Sequence, residues 1–440
     1  MTLFKSLLLG SAAGIVAIAG ASAADLPSKK AAPATYVKIC DAQGAGFFYI
    51  PGTDTCVKVG GYVRVDYDYR PERKNSATAT TNTAITDNST SGFYNRGTIQ
   101  LDARTPTSMG VARTFMALRL ENGSGPQVKS STQPSLESAF VQWAGFTAGQ
   151  AAQPFAFMSS WAYNTHYWGG WPNGVRQLTY TAVLGGGFSA TLGITDSHNY
   201  TAVSESYNVI TGKAESIDTP GYNGIVYVGN VRYDQAWGSV QVMGAAHTGG
   251  DLSQAGTTGV ASASSTVGSK EAGYAVGVGA SFKLPMLAAG DEIQLTAVYA
   301  DRLANMLADS SINTPSSSAY GTAPIGGPAA KFANGTGWVV GAQLKHYWTS
   351  NFRSQVYVSY TSREQHFLTG GVKGTGEAYT VGKAFIYTPV KDLDIGLEFN
   401  YVRASWNQAA ANSVSTYTGA PAGGIDEANL VTKLRIQRNF

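Results

Sequence analysis

The feature that most constrains this chain is a period of two. From about residue 57 onward, segments of about 10–14 residues alternate apolar side chains with polar or small ones. That is the pattern of a strand whose two faces meet different surroundings. In the first segment Val57, Val59, Val63, Val65, Tyr67 and Tyr69 share one face, and Lys58, Tyr62, Arg64, Asp66 and Asp68 share the other. Leu393–Tyr401 and Leu430–Phe440 repeat it. About sixteen strands are expected, at roughly 57–70, 92–105, 110–122, 134–144, 146–153, 174–183, 187–197, 222–235, 237–248, 271–284, 290–303, 336–348, 351–363, 376–388, 391–404 and 427–440. The 376–388 segment is irregular, because Lys383 falls on the side of Val381 and Phe385, so a bulge or an error in the assigned register is expected there.

The connections alternate short and long. The short ones include Gly145, Gly185-Gly186-Gly187, Gln235-Ala236, Thr349-Ser350 and Pro389-Val390; the long ones are rich in Ser, Thr, Gly, Ala and Asn. Tight turns at one end and long loops at the other are the layout of an outer-membrane barrel. Composition agrees. Charged residues make up 13% of the chain against about 25% in soluble proteins, yet mean hydropathy is only −0.09, so uncharged polar residues, Gly and Tyr supply the polarity. The apolar faces carry almost no charge, as lipid contact requires. A sheet edge left open in lipid is untenable, so the strands must close. Aromatic residues fall near strand ends. Trp143, Phe146, Trp237, Tyr347, Trp348, Phe352, Tyr387 and Phe440 lie by the short turns, and Tyr67, Tyr69, Phe93, Tyr94, Tyr299, Tyr360 and Tyr401 toward the long loops. Two belts at two interfaces are the expectation.

The N-terminus reads as an export signal over residues 1–23: Lys5, an uncharged apolar run from Leu7 to Ala19, and Ala21-Ser22-Ala23 as a cleavage site. Residues 24–56 are expected to form a lead-in, and 57–440 the transmembrane barrel. In an exported chain the lone pair Cys40 and Cys56 reads as one disulfide, with two buried thiols as the alternative. The five histidines are scattered, so no metal site, cofactor or catalytic set is expected, and the chain is not expected to be an enzyme. A net charge of +3, about +2 after loss of Lys5, gives no case for nucleic acid.

Three stretches carry a resemblance. They are the Cys40…Cys56 loop running into Cys56-Val-Lys-Val-Gly-Gly-Tyr-Val-Arg64, the hairpin Ala139–Gly149, and the terminal Phe440. The chain resembles the trimeric porins of alphaproteobacteria over nearly its whole mature length. The resemblance implies a homotrimer of sixteen-stranded barrels in outer-membrane lipid, passive diffusion of small hydrophilic solutes and ions, and a third long loop folded into the pore.

That loop, at about 154–173, carries Trp161, Tyr163, Tyr167, Trp168 and Trp171 and no acidic residue from Phe155 to Asn173, which departs from the family's acidic habit. Its aromatics either stack on sugar rings or pack the loop against the wall. The polar faces of the first strands and the last one present Lys58, Arg64, Arg96, Arg104, Arg113, Arg119, Lys433 and Arg435, with the acids Asp66, Asp68, Asp102 and Glu121 among them. Such a wall biases ion passage, with Arg64, Arg104, Arg113 and Arg119 expected at the constriction. The rival readings are a sugar-preferring channel and a non-conducting adhesin or structural barrel, the second requiring a narrower, plugged lumen.

Overall fold

The computed structural model describes residues 38–71, 73–74, 86–87, 90–124, 134–158, 161–163, 174–196, 204–208, 213–217, 225–247, 272–307, 335–366, 373–406 and 425–440. The proposed signal peptide and residues 24–37 of the lead-in lie outside them. Among the described residues sixteen antiparallel strands form the barrel: β1 Cys56–Arg70, β2 Thr90–Thr107, β3 Gly110–Gly123, β4 Ser135–Trp143, β5 Phe146–Ala151, β6 Val175–Gly185, β7 Phe188–Asp196, β8 Ile225–Gln235, β9 Gly238–His247, β10 Gly273–Lys283, β11 Glu292–Asp301, β12 Gly335–Thr349, β13 Phe352–His366, β14 Lys373–Val390, β15 Leu393–Trp406 and β16 Ile425–Asn439. Each pairs with the next, and β16 pairs with β1 from Tyr62 opposite Asn439 to Tyr69 opposite Thr432. The closed sheet leaves no free edge in lipid.

Closure is finished by two residues just past the ladder. Gly61 N–H donates to the Phe440 carbonyl at 3.2 Å and Phe440 N–H to the Gly61 carbonyl at 3.1 Å. Gly61 has φ +154°, and a Cβ there would overlap the Thr98 carbonyl, so glycine is required at the seam. The short turns show similar local chemistry. Ala144 and Gly145 both have positive φ (50° and 87°), which joins β4 to β5 by a two-residue turn whose twist suits a hairpin.

Burial follows the alternation. On β1 Val59, Val63, Val65, Tyr67 and Tyr69 are exposed outside, while Asp66 and Asp68 are buried inside. Outward aromatics pair across strands into two belts: Phe146 with Tyr180 and Trp237 with Phe282 near the short turns, Tyr67 with Phe93 and Trp338 with Tyr360 near the long loops. Two belt assignments are corrected. Tyr347 shares the parity of Gln343 and Lys345, which meet Trp161 inside the barrel, and so turns inward. Tyr94 is 4% exposed and turns inward, where its hydroxyl donates to Glu121, because it shares the parity of the inward residues of β2.

The bulge expected near Lys383 is also absent. β14 pairs with β15 in unbroken register from Gly376 opposite Trp406 to Tyr387 opposite Ile395. Lys383 therefore stands on the outer face between Val356 and Phe399, with Nζ 4.8 Å from the Phe385 ring centre. It lies four residues from each of the outward tyrosines Tyr379 and Tyr387, midway between the belts. A real irregularity occurs elsewhere. Ala117 pairs with Ser138 and Leu118 with Leu136, which leaves Glu137 as the extra residue of a β-bulge in β4.

A lysine at the bilayer midplane costs a barrel roughly 2–4 kcal/mol. Lys383→Leu is expected to raise the urea midpoint of the barrel folded in lipid vesicles; an unchanged or lower midpoint places Lys383 outside the hydrocarbon.

Candidate functional site in the barrel lumen

The residues expected in the basic wall lie on β16, β1, β2 and β3, four strands side by side. Strand alternation turns their side chains to one face, and opposite charges then pair across neighbouring strands. At the short-turn end Asp102 is gripped twice. Arg104 donates from Nε and Nη2 to its two oxygens at 3.1 and 2.8 Å, and Arg113 does the same at 3.1 and 3.0 Å. Arg113 also donates to Gln142 at 3.1 Å. Higher up, Arg96 stands 2.5 Å from Glu121 and 4.0 Å from Glu137, while Arg119 stands 3.5 and 3.8 Å from the same two acids. At the seam Arg435 meets Asp66 through two bonds of 2.7 Å, and Lys433 lies 3.7 Å from Asp66 and 3.4 Å from Asp68. Arg64 differs. Among the described residues no carboxylate is within ion-pair distance of it; it donates to Gln437 at 2.9 Å and lies 4.9 Å over the Tyr62 ring. Lys58 sits by the short-turn rim, with Nζ 6.0 Å from the Phe47 ring centre.

Across the lumen the inner face carries an apolar cluster among polar residues such as Gln241 and Thr296. Val226 and Val228 on β8, Met243 and Ala245 on β9, Ala275 on β10, Val298 on β11 and Val339 on β12 are all buried. The segment after β5 is laid over them. Phe155 and Met158 are buried at the centre of this cluster, and Leu303, Met306 and Leu307 of a second inward turn close over it. Backbone carbonyls of the segment accept side-chain donors from the wall: Gln177 to Ala152 and Asn230 to Pro154, each at 2.7 Å. The far end is tied to β12, β15 and β16. Trp161 N–H donates to Gln343 at 3.2 Å, Tyr163 N–H donates to the wholly buried Glu398, and the Tyr163 carbonyl accepts from Arg435 at 3.3 Å. Glycines make the seats. A Cβ at Gly279 would overlap the Phe157 ring, and one at Gly396 would overlap Tyr163.

Of the aromatic loop residues, Trp161 is packed under Lys345, whose Nζ is 4.4 Å from its ring, and Tyr163 under Arg435 at 4.4 Å. Burial pushes the Tyr163 phenol well above its usual pKa. Tyr167, Trp168 and Trp171 lie outside the described residues. The disulfide between Cys40 and Cys56 is present. Among the described residues no group of three or more His, Cys, Asp or Glu is arranged to hold a metal ion. Sequence reading missed Glu137, because the bulge reverses its parity, and Glu398, because the strands around it were read for their outer faces.

A family model described as the porin subfamily matches residues 25–425. The chain belongs to that subfamily. The porin Omp2b of Brucella abortus is 32% identical over 251 residues, 54% of this chain and 64% of its own length. Omp2b of Brucella suis biovar 1 is 32% identical over 248 residues with the same coverage. The match thus spans less than two thirds of these relatives. Among solved structures, the outer membrane channel DcaP of Acinetobacter baumannii is similar with a TM-score of 0.56 and 15% identity, covering 89% of this chain and 99% of that one. At that identity the likeness shows the fold alone. A porin-subfamily barrel with an apolar outer face is an outer-membrane protein.

Seating of the loop is the feature to perturb. Gly396→Val is expected to unseat Tyr163 and raise single-channel conductance in planar bilayers. A wild-type conductance means that the loop does not limit the passage.

Proposed function

We propose that this chain forms an outer-membrane channel through which small hydrophilic solutes and ions diffuse passively, without catalysing a reaction. The observation that carries the proposal is the division of the lumen. A sixteen-stranded barrel is too wide for side chains to fill. The inward segment starts on the apolar cluster of β8–β12 and reaches Arg435 on β16, which leaves the passage along the charged wall of β1–β3. The eight cations named for this wall face five named acids, Glu137 of the neighbouring β4 included. In a narrow passage of low dielectric, that excess favours anions. Arg64, with no carboxylate beside it among the described residues, and Arg104, Arg113 and Arg119 are the proposed selectivity residues. A sugar-preferring channel is less well supported, because Trp161 and Tyr163 spend their ring faces on Lys345 and Arg435. A plugged structural barrel fits fewer strands than sixteen.

Purified protein in planar bilayers is expected to give open channels, and the Arg113→Glu/Arg119→Glu pair to move the reversal potential toward cations. Absence of any channel sinks the proposal; an unchanged reversal potential removes these two arginines from the selectivity site.

A homotrimer is part of the same proposal, supported by strand length. β4 has 9 residues and β5 only 6, whereas a tilted strand needs about 9–11 to cross the hydrocarbon. The low wall exposes Leu136, Val141, Trp143 and Phe146, a face that a second copy would cover. Val141→Asp is expected to convert the trimer in mild detergent to monomers by light scattering. A trimer that survives this change is held by another face.

A further inference from the structure

The loop closed by Cys40 and Cys56 enters none of the roles above, yet it reaches the wall. Its backbone is fixed as an added strand at the start of β1. Phe48 pairs with Val57 and Tyr49 with Cys56, Cys40 N–H donates to the Phe47 carbonyl at 2.9 Å, and Ile50 N–H to the Thr55 carbonyl at 2.9 Å. Phe47 is 5% exposed and packs on both half-cystines and Tyr49. Its ring centre lies 4.6 Å from the Arg104 guanidinium carbon. Arg104 Nη1 donates to the Gln43 carbonyl of the same loop at 3.2 Å, while Nε and Nη2 hold Asp102. One side of the guanidinium is therefore covered by a ring, one edge by a carbonyl, and the fork by a carboxylate. The loop also lies on a second wall cation. A Cβ at Gly46, which has φ +85°, would stand 3.3 Å from Lys58 Cε.

We infer that Phe47 is a positioning residue for the wall: it keeps Arg104 turned onto Asp102, and the disulfide loop thereby sets how much positive charge the channel shows to ions at its short-turn mouth. Asp102 is already served by Arg113 through two bonds, so Arg104 is the cation that can leave. A guanidinium over an aromatic face is held by the ring quadrupole and by the water the ring excludes. With the ring removed, Arg104 keeps only Asp102 and one carbonyl. It then turns into the lumen, where its charge meets passing anions less neutralised. The inference rests on the proposal that the wall governs ion passage, and its test separates the two.

The measurement is the reversal potential of the full-length protein in a planar bilayer under a KCl gradient. The variants are Phe47→Ala, Phe47→Leu, Phe47→Tyr, Arg104→Ala and the Phe47→Leu/Arg104→Ala double variant, each checked for wild-type heat-modifiable migration on gels. Arg104→Ala is expected to move the potential toward cations. Phe47→Ala and Phe47→Leu are expected to move it toward anions, and Phe47→Tyr, which restores the aromatic face, to return it to wild type. Leucine keeps the packing without the ring and carries the test should the alanine variant not fold. In the Arg104→Ala background Phe47→Leu is expected to have no further effect, since coupled residues are not additive. A shift with Arg104→Ala but none with Phe47→Leu overturns the inference and leaves the wall proposal standing. A Phe47→Leu shift that persists without Arg104 also overturns it. No shift with Arg104→Ala removes Arg104 from the wall's function and the inference with it.

Discussion

Everything in this barrel depends on one constraint: lipid offers no partner to a backbone N–H or carbonyl. The chain must therefore satisfy its own ladder all the way round, and the last strand must find the first. The seam between β16 and β1 does this, and the Gly61–Phe440 pair extends it to the final residue. Gly61 earns its place because any side chain there would strike the β2 carbonyl of Thr98 and push the strands apart. Once the ring is closed, parity alone decides which side chains meet lipid and which meet the lumen.

The lumen is then divided by chemistry. On β8–β12 polar inward residues such as Gln241 and Gln343 are interleaved with buried valines, alanines and a methionine. Their presence is explained by the segment that covers them. Phe155 and Met158 take the place of solvent, and the segment's carbonyls find Gln177 and Asn230. On β16 and β1–β3 the inward positions carry the charged wall, and two rings from outside these strands, Phe47 on Arg104 and Tyr163 on Arg435, lie against single guanidinium groups. Their cations and acids are paired so closely that the wall is a lattice of shared contacts, with Asp102, Glu121 and Asp66 each serving two cations.

Much of this was legible in the sequence because a strand between two unlike solvents writes its orientation into every second residue. The segment from Val57 to Tyr69 is the clearest case, with Asp66 and Asp68 buried and Val63, Val65 and Tyr67 exposed. The departures have physical causes. Tyr94 looked like a belt aromatic by its position near a strand end, but parity with Arg96 and Asp102 turned it inside. Lys383 was expected to signal a bulge, since charge on a lipid face is costly, but the ladder around it is regular. Glu137 gave no warning, because a single extra residue in β4 inverts parity without changing composition. The aromatic loop was visible, but its seats were not. Gly279 and Gly396 lie more than a hundred residues from the rings they admit, and no local pattern links them. The reach of Phe47 to Arg104 was hidden in the same way: the cysteine pair marked the loop without indicating where it lay.

The seam also orders events in the life of the molecule. β1 begins at Cys56 and β16 ends at Asn439, so the join is between opposite ends of the chain. The loop between Cys40 and Cys56, by contrast, uses only residues near the start. Its bond needs nothing beyond the first strand, whereas the ring needs the very last one. A chain that stalls on its way to the membrane is thus an open sheet, with an edge lipid will not accept, and it encloses no passage.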